Sequence, residues 1–280
     1  MNELSSYQMI KETDQQFERR LLGWLLVFFL VAIEVSTYLH YLAPGILRVP
    51  QETDLPRFLW PFPPVAELGG YFLAFLCGYH CLRKQGLWQL LLFLSGSFLI
   101  TGIQENIWIL SGRFGLTPPT YYFSNMGILW FGEIPVSVCI GWFIFAYSCI
   151  YIAEVLFGPK RRVWNAFVGA FLAMNIDLYM DPLTSHPLNH SWTWLMQDTF
   201  CVFSIPLTNF MGWFGLIFLF ALLWDKTGDW GRTQGYRRAT WKFFLWIPVL
   251  DILLYALLYL SWLYLINPLM GGLNLTIGGI

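Results

Sequence analysis

The sequence predicts an all-α fold, a polytopic membrane bundle of about seven transmembrane helices. Three observations predict it. Of the 280 residues, 57% are hydrophobic, 19% aromatic and only 12% charged. The apolar residues fall in separate blocks, each near the roughly 20 residues that a helix needs to cross a bilayer. Polar junctions divide the blocks, and the strict alternation of a membrane β-barrel is absent.

Residues 1–20 read as a polar, amphipathic lead-in, and residues 21–280 as one transmembrane helical domain. No signal peptide is expected, because the lead-in is long and no small-residue cleavage site follows a short apolar core. The apolar blocks place helices over roughly 21–42, 63–82, 87–110, 129–157, 162–180, 202–224 and 241–266. No soluble domain, low-complexity linker or internal repeat is evident. The near-zero net charge of -1 gives no sign of a nucleic-acid partner. The five cysteines, Cys77, Cys81, Cys139, Cys149 and Cys201, form no C-x-x-C pair, and most read as small packing residues within apolar spans.

Basic residues set the orientation. Lys11, Arg19 and Arg20 precede the first helix, and Arg83 and Lys84 separate the second and third. Lys160, Arg161 and Arg162 separate the fourth and fifth, and Lys226, Arg232, Arg237, Arg238 and Lys242 the sixth and seventh. The other side holds only Arg48, Arg57 and Arg113. The excess marks the cytoplasmic side, so the N-terminus is expected in the cytoplasm and the C-terminus outside.

On that topology most intramembrane acids gather in the outer half. Glu67 opens the second helix, Glu105 lies near the end of the third, and Glu133 near the start of the fourth. Asp177 and Asp181 close the fifth and, four residues apart, stack on one helix face. Glu34 and Asp251 lie deeper. A carboxylate inside a membrane span is costly and functional by default. Arg113 is the one basic residue in a nearby loop, so the group is expected to share protons and to offer a general acid. The structural alternatives are that Asp181 before Pro182 marks a helix end, and that Glu133 favours its own helix N-terminus.

Other signals are weaker. Asn209 either hydrogen-bonds between helices or orients a water or Asp181. Trp60, Trp130, Trp192, Trp194 and Trp213 fit an interfacial belt, and their faces also suit a cation or a polyene. His40 and His80 read as interfacial. His186 and His190 are four apart, but no further ligands accompany them, so no metal is expected.

One order of motifs carries a resemblance. Gln104-Glu105-Asn106 is followed by Gly112, Tyr121-Tyr122-Phe123-Ser124, Gly132-Glu-Ile-Pro135 and Trp142. Then come Asp177, Asp181-Pro182, Trp192-Thr-Trp194 and Pro206-Leu-Thr-Asn209-Phe-Met-Gly212-Trp213. Over roughly residues 100–215 the chain resembles the integral-membrane carotenoid biosynthesis family that contains the carotenoid 1,2-hydratases of the γ-carotene and bacterioruberin pathways. It departs from that pattern in having Tyr121-Tyr122-Phe123 where relatives carry a Tyr-His-Tyr-like element. It also has Gly-Glu-Ile-Pro and Ser-Ile-Pro in place of Gly-Val-Pro. Glu133 is therefore this chain's own feature.

The resemblance implies addition of water across the terminal 1,2 double bond of an acyclic carotenoid, with water as co-substrate, no cofactor, and a prokaryotic plasma membrane as the setting. A carboxylic acid would protonate C2, and water would attack the tertiary cation left at C1. Asp177 and Asp181 are the candidate acid–base pair, Glu105 their partner and Asn209 the water-positioner. Asn106, Tyr121, Tyr122, Glu133, Trp192, Trp194 and Trp213 are the candidate substrate-binding residues. A carotenoid cyclase uses the same protonation and excludes water. A prenyltransferase would need a second acidic motif on the same face, and Asp225 and Asp229 fall on the cytoplasmic side. A retinal receptor would need a lysine within the seventh helix, and a transporter would need matching broken helices.

The orientation is directly testable. A reporter that works only in the cytoplasm, fused after Ile280, is expected to be silent, and activity there would reverse the topology.

Overall fold

A computed structural model of the chain describes residues 3–49, 63–124, 127–186, 189, 191–196 and 199–275. The elements follow the apolar blocks. Helix α1 (Glu3–Leu42) and the short α2 (Pro44–Leu47) precede α3 (Pro63–Gln85) and α4 (Leu87–Arg113). Strands β1 (Tyr121–Phe123), β2 (Trp130–Phe131) and β3 (Ile134–Pro135) lead into α5 (Val136–Phe157). Helix α6 (Arg162–Thr184) is followed by β4 (Trp192–Trp194), β5 (Cys201–Val202), β6 (Ile205–Pro206) and α7 (Leu207–Gln234). Helix α8 (Tyr236–Ser261) passes through a π turn (Trp262–Ile266) into α9 (Asn267–Met270) and β7 (Asn274–Leu275).

The protein is a mostly helical membrane bundle. Among the described residues, six helical stretches are long and apolar enough to cross a bilayer: Asp14–Leu42, α4, α5, α6, α7 and Tyr236–Met270. The second expected span, α3, is about 35 Å long at 1.5 Å per residue, but its composition is more polar and it falls outside that set. It packs against α4 and α5. The polar lead-in is helical from Glu3 and continuous with the first span.

The helix starts expected at 129 and 202 lie instead at Val136 and Leu207. The preceding residues form two tight hairpins, β2–β3 and β5–β6. Each ends on a proline, Pro135 (φ -57, ψ 133) and Pro206 (φ -56, ψ 134), whose missing N–H and fixed φ suit a strand-to-helix corner.

An internal repeat, absent from the expectation, organises these elements. At a constant offset of 71, β1 recurs as β4 (121 to 192), β2 as β5 (130 to 201), β3 as β6 (134 to 205) and α5 as α7 (136 to 207). Helices α4 and α6 end at the matching residues 113 and 184. The sequence trace is Ile134-Pro135-x-Ser137-x-x-x-Gly141-Trp142-Phe143 against Ile205-Pro206-x-Thr208-x-x-x-Gly212-Trp213-Phe214. Two equivalent residues touch each other: Trp142 and Trp213 stack with ring centroids 3.9 Å apart. Contact between the same position of two copies is what a local two-fold arrangement produces. The equivalent strands β1 and β4 pair with each other, antiparallel, with Tyr121 opposite Trp194 and Phe123 opposite Trp192.

Each hairpin is held by a different partner. The first leans on α1 and α4. The Trp130 and Gly132 amides donate to Thr37 Oγ1 (3.0 Å) and Ser36 Oγ (2.8 Å), and His40 stacks on Trp130 at 3.6 Å. Asn106 closes it, donating to Phe131 O (3.0 Å) and accepting from the Glu133 amide (2.8 Å). Only glycine fits at 132, where φ is +63 and an added Cβ would fall 2.1 Å from Asn106 Oδ1. The second hairpin is held by β7, which pairs with β5 in parallel, and Asn274 hydrogen-bonds the Ser204 amide and hydroxyl.

Below the hairpins, Phe93 of α4 packs edge-on against Phe143 of α5 and against Phe220 and Trp224 of α7. Gly96 lets α8 approach, since a Cβ there would lie 2.3 Å from the Phe243 ring.

Replacing Asn106 tests the first hairpin. Asn106→Ala leaves the buried Glu133 amide without its acceptor, at a cost of about 1–3 kcal/mol. Thermal unfolding in detergent should show a clear drop for this variant and little change for Asn175→Ala, whose half-buried side chain bonds only the Phe171 carbonyl of its own helix. Equal stability of the two would contradict the clamp.

Candidate active site

Helix α6 places Asp177 and Asp181 one turn apart, and both are 1% exposed. Asn209, in the first turn of α7, bridges them. Its Nδ2 donates to Asp177 Oδ2 (2.7 Å) and Asp181 Oδ2 (2.6 Å). The proline corner at Pro206 starts α7 at the height that makes this bridge possible. Trp192 Nε1 donates to the other Asp181 oxygen at 2.5 Å. The Trp194 indole N–H also interacts with Asp181 but lies outside hydrogen-bonding geometry with any described residue. Helix α6 continues through Pro182 to Thr184, so Asp181 sits in its last two turns and does not end it.

Glu105 comes from α4, and the Tyr121 hydroxyl donates to its Oε2. Glu105 lies deep in the protein yet keeps accessible surface, because that surface is cavity wall. Among the described residues Glu105, Asp177 and Asp181 have no ion-pair partner. Arg113, the basic residue expected nearby, pairs instead with Glu133.

The three carboxyls line a cavity of about 730 Å³ whose walls are otherwise mostly apolar. The β1–β4 strap roofs it. Side chains alternate along a strand, so Tyr121, Phe123, Trp192 and Trp194 face the cavity, while Tyr122 and Thr193 do not line it. The stacked Trp142 and Trp213 line it from below. A second, smaller cavity of about 40 Å³ adjoins it. It has more polar walls, including Gln104, Thr120 and Thr208. Glu105, Tyr121, Trp142, Trp194, Asn209 and Trp213 line both chambers.

Of the expected site residues, Asp177, Asp181, Glu105, Asn209, Tyr121, Trp192, Trp194 and Trp213 thus converge. Glu133, Asn106 and Tyr122 do not line the cavity. Glu133 occupies the turn of the first hairpin instead of a helix start, buried between His40 Nδ1 (3.3 Å) and Arg113. His40 and Trp130 are buried there too. Trp60, Arg57 and His190 lie outside the described residues. Among the described residues no three His, Cys, Asp or Glu side chains group as ligands for one ion. Asp251 is fully buried on α8 and lines neither chamber, and neither carboxylate oxygen has a hydrogen bond among the described residues.

Glu67 and Ser137 are residues that sequence reasoning left unassigned. Both line the large cavity, with Ser137 Oγ donating to Glu67 Oε1 at 3.0 Å. The repeated Gly-Trp-Phe signal, which pairs Trp142 with Trp213, is the mark that would have added Trp142.

No curated protein and no solved structure matches the chain. The family described as carotenoid biosynthesis protein matches residues 66–278, which include every residue of the two chambers. The chain belongs to that carotenoid biosynthesis family, and its role lies in making carotenoids in a membrane.

Proposed function

We propose that the protein is a carotenoid hydratase that adds water to the terminal 1,2 double bond of an acyclic carotenoid. One observation carries this reading: Glu105 and Asn209 stand on the boundary between a large, mostly apolar chamber and a small one whose walls carry a larger share of polar groups. The large chamber suits a hydrocarbon end group. The small one, at about 40 Å³, has room for a water, which needs about 10–15 Å³ of probe volume and two to four polar partners.

The chemistry then follows. Three enclosed carboxyls with no basic partner among the described residues share protons, because three adjacent charges in an apolar membrane interior are prohibitively costly. A protonated carboxyl of the Asp177–Asp181 pair gives its proton to C2. The π electrons form the new C–H bond and leave a tertiary cation at C1. The remaining carboxylate charge and the faces of Trp192, Trp194 and Trp213 stabilise that cation. Water from the small chamber attacks C1, and Glu105 takes up its proton. The product is a tertiary alcohol, and the cluster has its proton back. Asn209 spends both N–H donors on the aspartates, which leaves its carbonyl to orient the water.

A cyclase would share the protonation step, but a water-sized chamber with Gln104, Thr120 and Thr208 in its walls is a liability for an enzyme that must exclude water. The prenyltransferase reading is disfavoured by distance. Asp229 is bound to Arg162 and Arg232, and it lies twenty residues along α7 from Asn209, about 30 Å at helical rise. In orientation, the site belongs to the outer half of the membrane, with the N-terminus in the cytoplasm.

Asp177→Asn and Asp181→Asn keep the side-chain volume and remove the transferable proton. Each is expected to slow hydration by about 10²–10⁴, so that cells making lycopene accumulate it unhydrated while the variant inserts and folds. Pigment mass reads the outcome: the parent product is heavier than its substrate by one water. Normal hydration by both folded variants would remove these aspartates from the mechanism. An isomeric pigment of unchanged mass from the parent would make it a cyclase.

A further inference from the structure

We propose that a slot between α3 and α6, floored by α5, is a lateral channel that admits the polyene to the carboxyl cluster from the lipid side. The inference rests on the reading above for the class of ligand, a long acyclic conjugated hydrocarbon.

The large cavity does not stop at the carboxyls. It runs along α5 from Ser137 to Phe145, two turns or about 12 Å. Helices α3 and α6 both pack on α5, and they supply the opposing walls. On α3 the wall includes Gly69 and Gly70, followed by Phe72 and Leu73, which are 61% and 52% exposed on the bundle surface. On α6 it includes Met180 and Thr184. At about 730 Å³ the chamber falls within the roughly 300–1,000 Å³ of small-molecule sites. It therefore houses one end of a long polyene, and the rest of the chain stays in lipid.

Three glycines give the slot its width, and none of them is explained by packing. A Cβ added at Gly69 or Gly70 would meet nothing within 4 Å, and one at Gly141 would meet only the Phe145 ring at 3.9 Å. Gly96 is the contrast, since there a Cβ would collide with Phe243 at 2.3 Å. Glycine weakens a helix. Three helical glycines that face open cavity and allow no close helix contact therefore point to a requirement for empty space. A flat, stiff polyene needs such a narrow apolar slot, and side chains at these positions would fill it.

The test measures binding of lycopene to the purified protein in detergent, read by quenching of tryptophan fluorescence, beside pigment mass from expressing cells. Gly141→Leu and Gly70→Leu are expected to keep the parental unfolding temperature and to bind lycopene more than tenfold more weakly. Gly78→Ala is the control. It lies on α3 outside the slot, and its new methyl would make ordinary contact with Leu90 at 3.6 Å. Should a leucine variant fail to fold, Gly141→Ala and Gly70→Ala are expected to show a smaller loss of the same sign. Parental affinity in the folded leucine variants would overturn the channel, even if Asp181→Asn abolishes hydration. Failure of the parent to bind lycopene would overturn it too. Weak binding in the glycine variants together with a cyclised parent product would leave the channel standing and remove the hydratase reading.

Discussion

A single side-chain amide holds the site together. Asn209 ties two carboxyl groups of neighbouring turns into one unit, in a membrane bundle where no cation among the described residues pairs with them. Carboxyl groups in such a place are costly unless polar partners replace water. Asn209, Trp192 and Tyr121 are those partners, and they come from three different elements. The bundle must bring α4, α6, α7 and the β1–β4 strap to one level for the cluster to exist, so the fold and the site are the same constraint.

The duplicated frame meets that constraint. Each copy is a helix, a strand, a proline-ended hairpin and a second helix. Non-helical backbone near membrane depth survives only when protein covers its polar groups. Helix α1 with Asn106 does this for the first hairpin, and β7 does it for the second. The copies have diverged in use. Asn106 is the repeat equivalent of Asp177, yet it braces a hairpin while Asp177 faces the cavity. Val138 stands where the other copy has Asn209. One copy therefore carries most of the polar chemistry, and the other supplies Glu105 and half of the apolar floor.

Local pattern made part of this legible. Apolar block length gave the helices, and the four-residue spacing gave Asp177 and Asp181 a shared face. Motif order brought in Glu105, Asn209 and the tryptophans. What the sequence hid is non-local or too short for periodicity. The hairpin strands have two residues each, so they merged into the following helices. The β1–β4 pairing joins segments 71 residues apart (121 to 192), and without it Tyr121 and Tyr122 look alike although only one faces the cavity. Glu133 looked like one more unpaired acid because its partners, His40 and Arg113, lie in other helices. The repeat is faint in the sequence because few of its positions are identical. The shared Gly-Trp-Phe after Ile-Pro was its visible trace.

The central claim is that this cluster delivers a proton and a water to the same double bond. Labelled solvent tests it most directly. Membranes containing the protein are given an acyclic carotenoid in heavy water enriched in oxygen-18, and the product is analysed by mass and by position of label. The account predicts one oxygen-18 and one non-exchangeable deuterium for each modified end, the oxygen on C1 and the deuterium on C2. A hydroxyl oxygen that comes from dioxygen, or deuterium uptake without any solvent oxygen, would contradict it.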